Sequence, residues 1–400
     1  MYYGKHSKGS ECHNQSLSYY TVLMSAKIKL LYITQSFGGV EIYIRQIISL
    51  LNYERFELYV IAPQNDRFEI FCKEHDIPFY KVNMARGGNL FRDLKSFFQI
   101  RTLIKKIDPD IVHLHSSKAG FIGRIATDSL HKKSIFTPHG ISYMSFSGMK
   151  RIIFFILENI AKRFTYRILG CSYSESLRMN VELGIPLEKI DTLLNAIPID
   201  DNIHLENRKT FDACSSVKIG TISRLTHQKN PLLLVEIARH ILQKHHSAEF
   251  SILGAGLNDE LKDKTVALIH EYNMDNNFHI MDWGDESTSK QYLNSLDIFI
   301  LPSIFEGLPL SLLEAMSYGV PCITSKCDGC NDVVKNNENG FACLTTDEYV
   351  ETISKLINNV DLQKQIRHNA FEYVRDRHNI IGFIKKLEAY YETVHSESFK

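Results

Sequence analysis

An α/β protein of two doubly wound domains in tandem is what this sequence predicts, and three observations carry the prediction. Its 400 residues exceed one ordinary domain and suit two. Short β-rich runs alternate with amphipathic helical runs, the pattern of a parallel sheet covered by helices on both faces. The alternation pauses once near the middle and then restarts. With 44% hydrophobic and 23% charged residues, the composition is that of a folded chain, which sets aside disordered and fibrous classes.

Residues 1–26 show neither a helical nor a strand period and read as a flexible extension, with Met24 a candidate translation start just ahead of the first strand. Lys27–Thr34 is β-rich and ends in a loop holding Gly38 and Gly39. From Glu41 to Asn52 the spacing of Ile42, Ile44, Ile47, Ile48 and Leu51 predicts a helix. Strands follow at Glu57–Ala62, near Pro78–Val82 and, after a basic helix from Leu94 to Ile107, at Ile111–His115. The first domain so read spans 27–198, and the polar, uneven stretch 199–216 is a linker. The second domain, 217–375, has strands at Val217–Ile222, Phe250–Leu253, Phe278–Met281, Ile298–Leu301 and Cys322–Thr324. Its helices fall at about Pro231–His245, Asp259–Tyr272, Lys290–Ser295 and Leu310–Tyr318. Residues 376–400 read as a terminal helix packing back toward the first domain through Tyr390, Tyr391 and Val394.

The chain holds 46 Lys and Arg against 46 Asp and Glu. A neutral total argues against a dedicated nucleic-acid binder, which needs a basic surplus for the phosphate backbone. The halves differ, however: residues 1–200 carry 26 basic against 18 acidic side chains, and residues 201–400 carry 20 against 28. An anionic partner therefore suits the N-terminal half. Eight cysteines without close, even spacing predict reduced thiols in a cytoplasmic setting. No apolar core of a signal peptide is visible, and the most apolar run, Ile152–Leu157, is far too short to span a bilayer.

Ligands of open parallel sheets sit beyond the carboxyl ends of the strands, so the loops there are the place to look. After the first strand of the second domain come Arg224 and Lys229, five apart, just before a helix whose start is marked by Asn230 and Pro231. Two cations beside a helix N-terminus suit a diphosphate, or else are two solvated loop charges. Further on, Glu306 lies in a loop and Glu314 on the helix that follows. Carboxylates accept sugar hydroxyls, and the free N–H groups of Leu310 and Ser311 suit a phosphate. Leu310, Leu312, Leu313, Ala315 and Met316 leave that helix little polar surface, which argues against Glu314 as a solvated residue. Gly254-Ala-Gly256 only begins a dinucleotide fingerprint and Gly38-Gly39 lacks the rest of one, so a dehydrogenase is disfavoured. His113 and His115 are expected to point apart, His113 into the core and His115 toward the crevice, with Lys118 in the loop beyond. Cys322, Cys327, Cys330 and Cys343 are a conceivable zinc set but read better as small core residues.

The pair Arg224…Lys229 followed by Glu306-x7-Glu314 resembles the nucleotide-sugar half of the retaining GT-B glycosyltransferases of family 4. Gly38-Gly39-Val40-Glu41 resembles that family's glycine loop, and His139-Gly140 its histidine loop. Asn195–Asp200 resembles its Asn-Gly-Ile-Asp stretch, with Ala196 in place of glycine and Pro198 inserted. The loop from Lys326 departs from the pattern, with Asp332 where the family commonly has Glu.

The resemblance implies two Rossmann-like domains facing across a cleft and a nucleotide-diphosphate sugar as co-substrate. UDP-sugars come first by family frequency, and a GDP-mannose-dependent mannosyltransferase is the alternative. It implies that Arg224 and Lys229 hold the diphosphate in place of a metal, so that no metal or other cofactor is required. Gly38 and Gly39 would approach the same phosphate, with Leu310 and Ser311 at the helix start. Glu306 would bind the sugar, Glu314 the ribose, and Gly254 and Gly256 would border the nucleotide. With His139 reaching the sugar from the first domain, the catalytic set is His139, Arg224, Lys229 and Glu306, and His115 and Lys118 fall on the acceptor side. Ser116–Gly120 together with Thr137–Ser142 resembles bacterial capsule and O-antigen hexosyl- or N-acetylhexosaminyltransferases, which implies a lipid-linked glycan acceptor at the inner face of the cell membrane. Two stretches in which cations interleave with apolar residues, Arg86–Lys106 and Lys150–Arg163, suit peripheral contact with anionic lipid. A non-catalytic sugar-nucleotide-binding protein is the rival reading; the presence of both cations and both carboxylates counts against it.

Overall fold

A computed structural model describes residues 26–35, 38–84, 90–212, 214–256 and 259–398. Of the expected extension only Ala26 is among them, and Met24 and Arg86 lie outside the described residues. The first domain contains β1 (Ile28–Thr34), α1 (Gly39–Leu50), β2 (Phe56–Ala62), α2 (Asp66–Glu74), β3 (Phe79–Lys81), α3 (Leu90–Ile107) and β4 (Ile111–His115). It continues with α4 (Ser117–Asp128), β5 (Lys133–Thr137), α5 (Gly148–Ala161), β6 (Arg167–Gly170), α6 (Tyr173–Leu183) and β7 (Ile190–Thr192). These seven strands form one parallel sheet in the order β3-β2-β1-β4-β5-β6-β7.

The second domain contains β8 (Lys218–Ile222), α7 (Pro231–Lys244), β9 (Glu249–Ala255), α8 (Lys262–Glu271), β10 (Phe278–Asp282), α9 (Glu286–Ser295) and β11 (Ile298–Leu301). It continues with α10 (Leu310–Ser317), β12 (Cys322–Ser325), α11 (Cys330–Val333), β13 (Phe341–Cys343), α12 (Thr346–Ile357) and α13 (Val360–Arg377), and the chain ends with α14 (Ile380–Ser396). Its six strands are also parallel, in the order β10-β9-β8-β11-β12-β13.

Alternate residues of each central strand enter different cores. Leu30 and Tyr32 of β1 pack on one face of the first sheet, while Leu31 and Ile33 pack on the other. In the second sheet, Ile298 and Ile300 of β11 face one core and Phe299 and Leu301 the opposite one. Strands covered on both sides read as continuous apolar runs, which is why these were legible. The strands β5, β6, β7 and β13, absent from the sequence reading, are three to five residues long and carry no usable period.

Two helix starts differ from expectation for a visible reason. The Asp259 carboxylate accepts the Leu225 N–H, tying down the loop after β8, so α8 begins three residues later, at Lys262. The Asp285 side chain caps α9 by accepting the Thr288 N–H at 2.8 Å, which starts that helix at Glu286 rather than Lys290.

The C-terminus returns across the molecule. Ile197 N–H donates to the His378 carbonyl at 2.9 Å and Ile380 N–H to the Ile197 carbonyl at 3.0 Å, so the two crossings between domains run side by side. Beyond them α14 inserts Ile380, Phe383, Ile384, Leu387, Tyr391 and Val394 into the first domain's core.

Candidate active site

In each sheet the strand order reverses once, between β1 and β4 and between β8 and β11. A crevice opens at such a point because the flanking loops diverge to opposite faces. The two crevices face each other across a cleft of about 1720 Å³. Gly38, Gly39, Lys118, His139, Arg224, Lys229, Glu306, Leu310, Ser311 and Glu314 all line it.

Lys229 ends the short turn His227–Lys229, and its Nζ lies 2.6 Å from Oε1 of the buried Glu306. Gln228 ties the same two loops, its amide donating to the Phe305 carbonyl at 3.1 Å while its own carbonyl accepts the Ile304 N–H at 2.8 Å. Asn230 does not cap α7: its backbone is left-handed, φ 52°, and its side chain makes no cap bond, so it serves as the turn that lets Pro231 open the helix. Leu310, Ser311 and Glu314 are the half-buried residues of α10 that face the cleft, whereas Leu312, Leu313, Ala315 and Met316 are buried. Burial, with repulsion from Glu286 and opposition from Lys290, pushes the Glu314 carboxyl up to about 7.

Gly38 precedes α1 with φ 78° and ψ −129°, a conformation open to glycine, and among the described residues nothing lies within 4 Å of a Cβ built on it or on Gly39. That open space faces the cleft. Gly254 stands differently: its Cβ would come within 2.6 Å of the Ser223 carbonyl oxygen, so it lets β9 pack behind the loop that carries Arg224. Gly256 has φ 100°, and none of the described residues comes within 4 Å of a Cβ built on it.

His139 follows β5 with φ 55°, and Gly140 continues at φ 100°. Glu175 holds this turn, accepting the Gly140 N–H at 2.7 Å and the Cys171 N–H at 2.9 Å. Burial raises the Glu175 carboxyl, and these two backbone N–H groups partly offset that. The sequence reading missed Glu175, although Ser172-x-x-Glu175 has the spacing of a capping box; Ser172 Oγ does accept the Glu175 N–H, at 3.1 Å. Across the cleft a Cβ on Gly307 would lie 2.8 Å from the Gly140 nitrogen, so the histidine turn rests directly on the loop carrying Glu306.

Several expectations are corrected. His113 and His115 do not point apart: two residues apart on a strand, they share one face, and their rings lie 4.0 Å apart. His115 is fully buried behind His139 rather than exposed on the acceptor side. Lys118 does line the cleft, paired with Asp93 at 2.6 Å. Gly120 of the same stretch is a packing residue, since its Cβ would fall 2.1 Å from the Phe136 ring. Asp332 turns to the first domain, where Ser174 donates to it from N and Oγ, both at 2.8 Å. In line with the core reading, Cys322, Cys327, Cys330 and Cys343 are buried free thiols of the second domain's core.

Two facing Rossmann-like domains, with cations, carboxylates and helix N–H groups gathered at their switch points, define a two-domain glycosyltransferase of the GT-B fold. Residues 207–373 match the family model "Glycosyl transferases group 1" and residues 37–201 match "Glycosyltransferase Family 4". The chain belongs to family 4 of the GT-B glycosyltransferases. It is 28% identical to the UDP-Gal:alpha-D-GlcNAc-diphosphoundecaprenol alpha-1,3-galactosyltransferase of Escherichia coli, over 79% of this chain and 84% of that one. It is 26% identical to the capsular polysaccharide biosynthesis glycosyltransferase CapM of Staphylococcus aureus, over 88% and 93%. The crystal structure of Anabaena Alr3699/HepE in complex with UDP and glucose shares the fold, with a TM-score of 0.76 at 19% identity over 92% of this chain and all of that one.

Proposed function

We propose that the protein moves a hexosyl or N-acetylhexosaminyl group from a nucleotide-diphosphate sugar, foremost a UDP-sugar, to a lipid-linked glycan in the assembly of a bacterial surface polysaccharide. The observation that carries this reading is the convergence of Arg224, Lys229, Glu306 and the start of α10 on one cleft, opposite Gly38, Gly39 and His139. The activities of the E. coli and S. aureus relatives support it.

As the anomeric bond breaks, negative charge grows on the β-phosphate. Arg224, Lys229 and the N–H groups of Leu310 and Ser311 stabilise it there, already in place and away from bulk water. These side chains do the work of a divalent cation, so turnover needs none. Glu306, positioned by Lys229, accepts hydroxyls of the sugar; Glu314 accepts those of the ribose; His139 meets the sugar from the first domain. Gly254 and Gly256 shape the nucleotide side at one remove, through the loop they support. The sugar is transferred with retention of configuration, and closure of the domains keeps water from the activated sugar.

The acceptor's lipid is met at the membrane surface. On α5, Met149, Ile152, Ile153, Ile156 and Ile160 form an exposed apolar ridge flanked by Lys150 and Arg151; on α3, Phe91, Leu94 and Phe98 are exposed beside Arg92 and Lys95. No helix among the described residues is long and apolar enough to cross a membrane. A ridge with flanking cations fits peripheral binding to the anionic inner leaflet.

The test is a donor-hydrolysis screen over UDP-sugars and GDP-mannose in excess chelator. Nucleotide release from one donor is expected, with kcat lowered about 10²–10³-fold in Arg224→Ala and Lys229→Ala. Loss of turnover in chelator would overturn the metal-free mechanism, release from GDP-mannose alone would reassign the donor, and binding without turnover even with lipid-linked acceptor would make the protein a binding module. In a parallel measurement, co-sedimentation with anionic vesicles is expected to weaken with salt and to be lost in Ile152→Glu/Ile156→Glu; indifference to both would remove the membrane contact.

A further inference from the structure

We propose that His115 is a positioning residue: it fixes the tautomer of His139 so that the ring of His139 presents an N–H to the donor. This rests on the reading above, in which His139 meets the donor sugar.

His115 Nδ1 lies 3.1 Å from His139 Nε2. The rings are within 24° of coplanar with centroids 5.4 Å apart, an edge-to-edge placement that suits an in-plane hydrogen bond. Burial pushes both imidazoles well down, His139 to about 3, so both are neutral and each carries one proton. One ring must donate and the other accept. His115 Nε2 decides which, because it is buried and finds no hydrogen-bond partner among the described residues. A proton on that nitrogen would be a donor stranded in the interior, whereas a bare lone pair is the lesser penalty. The proton of His115 therefore sits on Nδ1 and is donated to His139 Nε2. His139 then carries its own proton on Nδ1.

The surroundings hold this pair in place. Glu175 fixes the main chain of the histidine turn through Gly140. His113 is not free to compete for His115, since its Nδ1 is bonded to the Tyr391 hydroxyl at 2.7 Å and its Nε2 to Thr137 Oγ1 at 2.8 Å. Tyr43 meets His139 edge-on, with centroids 4.7 Å apart at 69°. The result is an uncharged donor in the cleft, able to hydrogen-bond a sugar hydroxyl without the desolvation penalty of an imidazolium.

The test is long-range 1H–15N NMR of the full chain labelled with 15N-histidine, alongside donor turnover. In the wild type, His139 is expected as the Nδ1–H tautomer. His115→Leu is expected to lose that preference and to lower kcat on the order of 10-fold. His115→Asn, whose amide N–H falls near the place of Nδ1, is expected to restore both the tautomer and most of kcat. Nε2-protonated His139 in the wild type overturns the proposal without needing any variant to fold. So does a His115→Asn as slow as His115→Leu with the tautomer unchanged, which would mark a purely structural role. His139→Ala with undiminished turnover would instead remove the contact between His139 and the donor, a failure of the functional reading that leaves the tautomer standing.

Discussion

Glu314 shows how one side chain acquires a measurable signature from its surroundings. In solution its carboxyl would be fully ionised at neutral pH; beside the apolar residues of α10 it is pushed up to about 7. Under the function proposed for it, the ionised form would accept two ribose hydroxyls, whereas the neutral acid must spend one oxygen on its own proton. Donor kcat/KM should therefore climb as pH passes upward through about 7 and then level off, since the diphosphate of a sugar nucleotide has no group titrating there. Glu314→Gln should abolish that rising limb, and a pH series of initial rates in the two proteins checks it. At this scale sequence spacing picked out Arg224, Lys229, Glu306 and Glu314, which the fold brings to one cleft, because each follows directly from the end of a legible strand. It failed for Asp332, whose partner Ser174 is 158 residues distant; the shared face of His113 and His115 follows from strand alternation itself, whereas the partner of His115, His139, does not.

At the scale of elements, the placement of α5 depends on a buried ion pair. Arg124 of α4 donates to Glu158 of α5 at 2.7 Å, to the Gly120 carbonyl at 2.9 Å and to Thr165 Oγ1 at 3.3 Å, with its guanidinium 4.1 Å from the centre of the Phe136 ring. Both side chains are almost wholly withdrawn from solvent. Removing one partner strands the other's charge, so Arg124→Met should cost about 3–5 kcal/mol, whereas Arg124→Met/Glu158→Met should regain much of that loss. Denaturant titration of the three proteins decides it; equal losses in single and double variants would mean the pair matters only for packing volume. The apolar ridge of α5 was legible as a run of isoleucines. Which of its faces would be left to solvent was not, because that depends on the neighbour it packs against.

For the whole molecule, α14 makes the first domain depend on the far end of the chain. Tyr391 is fully buried, its hydroxyl 2.5 Å from that of Tyr32 and 2.7 Å from His113 Nδ1. Tyr391→Ala should destabilise the protein by about 3–5 kcal/mol, as emptying a buried aromatic site does, and should lower the first domain's amide protection in hydrogen exchange more than the second's. Equal loss in both domains would show that they unfold as one unit. Between the domains, Asn195 donates to the Leu308 carbonyl at 2.9 Å and Arg178 to Asp328 at 2.6 Å, beside the bonds from Ser174 to Asp332. The amino-acid pattern was enough for the class of fold, the central strands and several residues that line the cleft, because those are local: apolar runs set strands buried on both faces, and the loops at their ends open on the crevice. It took the folded chain to put His115 behind His139, to brace the opposite domain with Asp332 and to shape the histidine turn with Glu175. Each of those rests on a contact between segments whose separation along the chain leaves no periodic trace.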